Sequence, residues 1–249
     1  MKLYTEKYGQ VLLRDKNIAQ IEISNLEEGE KVLEIGPGEG FLTQFLLEKY
    51  PKVTVVESDH RFVDILRVKF FDYVEHGQLE IIHGDFLEYE GLVQDQIIGN
   101  VPYHISSKIV QKLSTMKFNK AVLMFQSEFA TTLMAKPSTK EYTRMTVFAY
   151  LNFNIEFIKL VSRNSFSPIP GVDSAIISLR NHDNFPDLDW NLAETKLRQM
   201  FSQKRKKLKN VIENCPVQFQ ENRIDQLPPE SIINLLRNEK HSRLKHGLY

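Results

Sequence analysis

Short, almost wholly apolar runs alternate with stretches of helical periodicity through the first two-thirds of the chain. Lys31–Ile35 (KVLEI) reads as a buried strand ending in the turn Gly36-Pro37-Gly38-Glu39-Gly40, and a helical run follows from Phe41 to near Lys49. Val53–Glu57 (VTVVE) predicts the next strand, and Arg61 to near Tyr73 the next helix. Leu79–Ile82 is a third strand leading into His83-Gly84-Asp85, and Gln96–Gly99 a short fourth ending at Asn100. Ser106–Leu113 reads as helix and Lys120–Phe125 as a fifth strand, while Ile155–Val161 and Ser174–Leu179 suit a closing antiparallel pair. Such alternation implies an α/β fold with a mostly parallel sheet covered on both faces. His182–Asp189 (HDNFPDLD) is polar and turn-rich and reads as a linker. Beyond it, Trp190 to near Ile212 and Pro229 to near Glu239 predict a small helical domain over residues 183–249.

Composition narrows the class. The 249 residues suffice for one α/β domain and a small appendage, and the hydrophobic share of 42% is ordinary for a globular chain. No apolar run approaches the roughly 18 residues of a membrane helix. The opening MKLYTEKYGQ has no apolar core of a signal peptide, so the expected location is cytoplasmic. Cys215, the single cysteine, has no internal disulfide partner, and the seven histidines show no metal-ligand spacing, so no metal is expected. Lys plus Arg (32) balances Asp plus Glu (32), which by itself argues against a nucleic-acid binder. The distribution says otherwise: Lys196, Arg198, Lys204, Arg205, Lys206, Lys207 and Lys209 occur with no intervening acid.

The candidate chemistry lies at the strand ends. Glu34-Ile35-Gly36-Pro37-Gly38-Glu39-Gly40 follows a strand and opens a helix, where glycines such as Gly36 and Gly38 let the backbone pass close to a ligand. Glu57 ends the second strand, placed to accept from both hydroxyls of a ribose. Asp85 suits an adenine amino group, and Phe86 can pack on the ring. A nicotinamide dinucleotide shares that adenosine half, although no GxGxxG is present. Asn100-Val101-Pro102-Tyr103 suits work on an exocyclic adenine amine, a poor nucleophile. The Asn100 oxygen and a main-chain carbonyl of Val101 or Pro102 can accept its N–H groups. Pro102 fixes the backbone, and Tyr103 offers a face to an extruded base. With an already activated methyl sulfonium, orientation and placed dipoles carry the catalysis.

In this order these residues resemble the ribosomal RNA adenine N6-dimethyltransferase family, from about Lys7 to Leu179 and more weakly beyond. Lys7 to Asp15 is similar to the family's N-terminal motif, whose GQxFL core lines the cofactor pocket. That implies cofactor contacts at Gln10, Val11 and Leu13, with Leu12 where Phe is usual. Gly36, Glu57, Asp85 and Asn100 match other cofactor contacts. Phe125-Gln126-Ser127-Glu128-Phe129-Ala130 resembles FQKEFA; Ala135-Lys136-Pro137 and Tyr142-Thr143-Arg144 extend the match toward the archaeal branch. Phe166 to Ser174 resembles FxPxPxVxS, which implies that Phe166 stacks on the target adenine opposite Tyr103. Gln203 to Leu208 resembles a basic helix that grips rRNA through Lys204, Arg205, Lys206 and Lys207. Ser127, Thr132 and Gly171 stand where Lys, Arg and Lys are usual.

The resemblance implies a Rossmann-like S-adenosylmethionine-binding domain over 1–182 and an rRNA-binding helical domain over 183–249. It also implies dimethylation of two adjacent adenosines in the 3′-terminal hairpin of small-subunit (16S) rRNA within a pre-ribosomal particle. A monomer is the default expectation for the oligomeric state. The related large-subunit rRNA methyltransferase of the antibiotic-resistance type, and an assembly factor with little catalysis, are the alternatives.

Overall fold

The computed structural model describes residues 11–91, 94–182 and 190–237. The elements run β1 (Leu12–Leu13), α1 (Lys16–Ser24), β2 (Lys31–Ile35), α2 (Thr43–Lys49), β3 (Lys52–Glu57), α3 (His60–Lys69), α4 (Phe71–Glu75) and β4 (Leu79–His83). Then come β5 (Gln94–Asn100), α5 (Ser106–Leu113), β6 (Phe118–Gln126), α6 (Ser127–Leu133), α7 (Arg144–Asn152), β7 (Phe153–Val161), β8 (Phe166–Ser167) and β9 (Ser174–Asn181). α8 (Trp190–Ser202) and α9 (Pro229–Arg237) follow.

Seven strands form one sheet in the order β4-β3-β2-β5-β6-β9-β7. The strands from β4 to β6 are parallel, and β9 runs antiparallel to both β6 and β7. Four of the five β2 residues are buried, as a strand covered on both faces requires. The strand order reverses beside β2, which has β3 on one side and β5 on the other. In open α/β sheets the crevice at the carboxyl ends of such a pair is where ligands bind.

The register puts Val55, Glu34, Ile98 and Val122 side by side on one face. Ile18 and Ala19 of α1 and Leu46 and Leu47 of α2 join Val32, Val55, Ile98 and Val122 in the core over that face. α1 was not expected. Its start is set by Asp15, whose carboxylate accepts from Asn17 N at 2.9 Å and Ile18 N at 3.4 Å. β1 and β8 form a separate antiparallel pair that joins the N-terminal motif to Phe166.

Two helices differ from expectation. The helix read over Arg61–Tyr73 is two helices, because Phe70, at φ −115° and ψ 29°, leaves the helical conformation and buries its ring in the core. The helix expected to reach Ile212 ends at Ser202. Beyond it Lys207 bridges to Arg223, Leu208 N donates to Asn222 O at 2.8 Å, and Lys207 and Lys209 both hold Glu221 at 2.5 Å. Long-range pairing therefore claims the backbone that helical periodicity had assigned locally.

The domain division also changes. One compact unit comprises the described residues of Met1–Ala130 with Phe153–Asn181, the other those of Thr131–Asn152 with His182–Tyr249. Thr131–Asn152, expected in the first domain, joins the second because Tyr142, Val147 and Leu151 bury their side chains with Leu197, Met200, Leu208 and Ile232. Tyr142 Oη also donates to Leu227 O at 2.8 Å.

Candidate active site

The switch point opens into a cavity of about 310 Å³ within the first unit. Its size lies at the lower end of the range for small-molecule sites. Four strand ends build it. β2 ends in Gly36, at φ +64°, and Gly38, at φ +55°. A Cβ on Gly36 would meet nothing within 4 Å, so the open space above this glycine is one that any side chain would enter. Gly84, after β4, is open in the same way.

Glu57 ends β3 and is buried. Its Oε2 accepts from Gly38 N at 3.0 Å and its Oε1 from Asp59 N at 2.9 Å, which fixes the carboxylate against the glycine turn. Burial pushes the carboxyl pKa up; the two N–H groups oppose this, and the Asp59 charge adds to it. Asp85 follows β4, exposed at the rim of the cavity, and caps a short helical turn by accepting from Leu87 N at 2.9 Å. Phe86 beside it is buried and lines the cavity.

Asn100 ends β5. The backbone then leaves the sheet through Val101, whose N donates to Met124 O at 3.1 Å, and Pro102, at φ −57° and ψ 127°. Asn100 lines the cavity, and its Oδ1 is buried with no hydrogen-bond partner. Tyr103 is tied by its hydroxyl to Ser174 Oγ at 2.8 Å. Burial raises the Tyr103 pKa and that hydrogen bond lowers it. Phe166, paired in register with Leu13, reaches the same cavity from β8.

The structure thus brings Val11, Gly36, Gly38, Glu57, Asp85, Phe86, Asn100, Pro102, Tyr103 and Phe166 around one space. Leu13 is the exception: it is buried in the core and Leu12 lines the cavity in its place, since neighbouring residues of a strand face opposite ways. Leu13 borders a smaller cavity that also touches Glu34, Gly36 and Asn100. Gln10 lies outside the described residues. Lys204, Arg205, Lys206 and Lys207 belong to the other unit and occupy a turn, not a helix.

Sequence reasoning missed Ser58, Phe62, Ile105, Met124 and Ser174 as lining residues. Ser58 follows a strand-end acid and Met124 is the register partner of Asn100, so strand-end logic reaches both. Ser174, the last residue of the FxPxPxVxS-like stretch, reaches the cavity through the β6–β9 pairing. Among the described residues no cluster of His, Cys, Asp or Glu suits a metal ion.

Comparison with known proteins identifies the family. The family described as "Ribosomal RNA adenine dimethylase" matches residues 1–246. A Methanopyrus kandleri protein named "Probable ribosomal RNA small subunit methyltransferase A" is 35% identical, over 92% of this chain and 90% of that protein. A dimethyladenosine transferase from Plasmodium falciparum superposes with a TM-score of 0.82 at 28% identity, covering 93% of this chain and all of that one. The 23S rRNA methyltransferase ErmE gives a TM-score of 0.62 at 33% identity, covering 80% and 82%. With its Rossmann-like sheet and its strand-end residues gathered at one cavity, the chain belongs to the ribosomal RNA adenine dimethylase family, whose methyl donor is S-adenosylmethionine.

Proposed function

We propose that this chain dimethylates the N6 amine of two adjacent adenosines in the 3′-terminal hairpin of small-subunit rRNA, acting as a cytoplasmic monomer on an assembling particle. The observation that carries the reading is Asn100-Val101-Pro102-Tyr103 at the mouth of β5, opening on the same cavity as Gly36 and Glu57. The small-subunit substrate is favoured by the name of the Methanopyrus relative.

The residues fit an S-adenosylmethionine cofactor. Gly36 and Gly84 leave a cradle that a Cβ would fill, and Glu57 retains lone pairs for ribose hydroxyls after accepting two backbone N–H groups. Val11, Gly38, Asp85 and Phe86 complete its walls, with Asp85 accepting from the adenine amino group and Phe86 packing on the ring. When bound, the cofactor supplies an electrophilic methyl group on a sulfonium.

Asn100 Oδ1 accepts from the target amine and holds its lone pair in line with that methyl group. A main-chain carbonyl of Val101 or Pro102 takes the second N–H. Tyr103 and Phe166 sandwich the extruded base, and the Ser174 hydrogen bond tethers the far end of the Tyr103 ring. Lys204, Arg205 and Lys206 bind rRNA phosphates from the second unit.

The test is methyl transfer from labelled S-adenosylmethionine to under-methylated small subunits, large subunits and both naked rRNAs. Labelled N6,N6-dimethyladenosine in the small-subunit 3′ hairpin is expected. The similarity to ErmE favours one second reading, large-subunit methylation, and label in 23S rRNA alone would establish it. Cofactor binding with no label in any substrate would leave an assembly factor.

A further inference from the structure

Among the described residues, six buried side-chain oxygen or nitrogen atoms lack a hydrogen-bond partner. Four of them belong to α1 and β5: both oxygens of Glu22, Gln96 Nε2 and Asn100 Oδ1. Buried polar groups are normally paired, so a cluster of orphans marks a place where local stability has yielded to something else. Glu22 is the extreme case, a fully buried carboxyl on the core face of α1, one turn after Ile18 and Ala19.

Asn100, two residues beyond Ile98 on β5, shares the sheet face that Ile18 and Ala19 of α1 cover, which puts its amide on the same side as this carboxyl, although no well-formed hydrogen bond joins the two. Burial, and after it the charge of Glu34, pushes the Glu22 pKa well up; the Asn100 amide acts against both. The register partner of Asn100 on β6 is Met124, whose side chain is apolar and cannot orient an amide. An asparagine amide can turn over and exchange its oxygen for its nitrogen, and only one of the two orientations offers an acceptor to an amine.

We propose that Glu22 is a positioning residue for methyl transfer: its carboxyl oxygen accepts the Asn100 Nδ2–H and leaves Oδ1 as the acceptor presented to the target adenine amine. This rests on the role given to Asn100 above. The carboxyl never touches substrate; it acts by selecting one orientation of the amide.

Three variants decide it. Glu22→Leu should lower kcat by about tenfold, with KM for the RNA and the cofactor Kd unchanged. Its thermal stability should stay close to that of the parent, because the loss of a costly buried carboxyl offsets the loss of the acceptor for the Asn100 Nδ2–H. Glu22→Gln keeps an acceptor carbonyl and should restore kcat to within about threefold of the parent. In an Asn100→Ala background, itself slower by about two orders of magnitude, Glu22→Leu should change kcat by less than about twofold, since the two residues act as one unit. Should Glu22→Leu not fold, Glu22→Met takes its place. Normal turnover in the apolar variant, failure of the Gln variant to rescue, or additive losses in the double variant would each overturn the proposal. Normal turnover of Asn100→Ala alone would overturn the Asn100 assignment and this inference with it.

Discussion

Replacing Glu34 by Gln probes the buried electrostatics beneath the site. Glu34 sits inside β2, and its Oε2 accepts from Thr43 Oγ1 at 2.6 Å. Burial pushes its carboxyl up to about 8; the Thr43 hydrogen bond opposes this, the Glu57 charge adds to it, and Lys69 pulls the other way. Because the folded value is the higher one, Glu34's contribution to stability is fully present below about 4.5, its ordinary value, and is lost as pH rises through about 8. At about 1.4 kcal/mol per pH unit, the interval from 4.5 to about 8 caps the swing at about 5 kcal/mol. Relaxation and water entry reduce the effective value to a few kcal/mol.

Gln cannot ionise, but it still accepts from Thr43. Glu22, Glu57 and Lys69 remain in both proteins, so the difference reports Glu34 together with its coupling to Glu22. The assay is hydrogen exchange of peptides covering Lys31–Ile35 in graded urea, between about pH 5 and pH 8.5. The variant and parent should be nearly equal at the acid end, with the variant more stable by a few kcal/mol at the alkaline end. A difference that stays constant across the range would refute the argument, since Glu34 would then be ionised in the folded protein throughout.

Gly36→Ala places a methyl group in the open space above the turn and forces an alanine to φ +64°. It should cost about 1–2 kcal/mol of stability and weaken S-adenosylmethionine binding at least about tenfold by calorimetric titration; an unchanged Kd would mean that the cofactor does not cross Gly36. Tyr103→Phe removes only the hydrogen bond to Ser174, for about 1 kcal/mol, whereas Tyr103→Ala also removes the ring and should cut turnover about 10- to 100-fold. Equal losses in the two would sink the stacking role. Changing Lys204, Arg205 and Lys206 to Gln should flatten the salt dependence of RNA binding, by about 0.9 in slope for each phosphate that is no longer neutralised. Adding Lys207→Gln should change little, because Glu221 already holds that ammonium; an unchanged slope in the triple variant would mean that the turn does not touch RNA.

The parallel strands of the main sheet and β9 were legible as short, largely apolar runs, and β7 as a run of β-branched and aromatic residues, with glycine or polar turn residues between most of them. The strand-end residues were legible for the same reason: once the strands are placed, Gly36, Glu57, Asp85 and Asn100 fall at one edge without further information. What was not legible depends on distant residues. β1 and β8 are two residues each and exist only through each other. α7 is buried on nearly every side, so it shows no polar stripe to betray a helix. The basic turn after Ser202 follows helical periodicity until Arg223 and Glu221 claim it.

α1 was missed for a different reason. Its core face reads Ile18, Ala19, Glu22, and the acid breaks the apolar stripe that identifies a helix packed on a sheet. A leucine at that position would have made the helix plain and removed two orphaned oxygens from the core. The chain instead carries a carboxyl where burial penalises it and where Glu34 adds a like charge. Asn100 on β5 shares the sheet face covered by α1 and stands at the mouth of the cavity. A local rule broken at a helix position that faces a catalytic amide is not explained by packing, because burying an unpaired carboxyl costs stability that an apolar side chain would not. The same residue that hid α1 from its own hydrophobic pattern is therefore the place where the core has yielded stability to the geometry of the site.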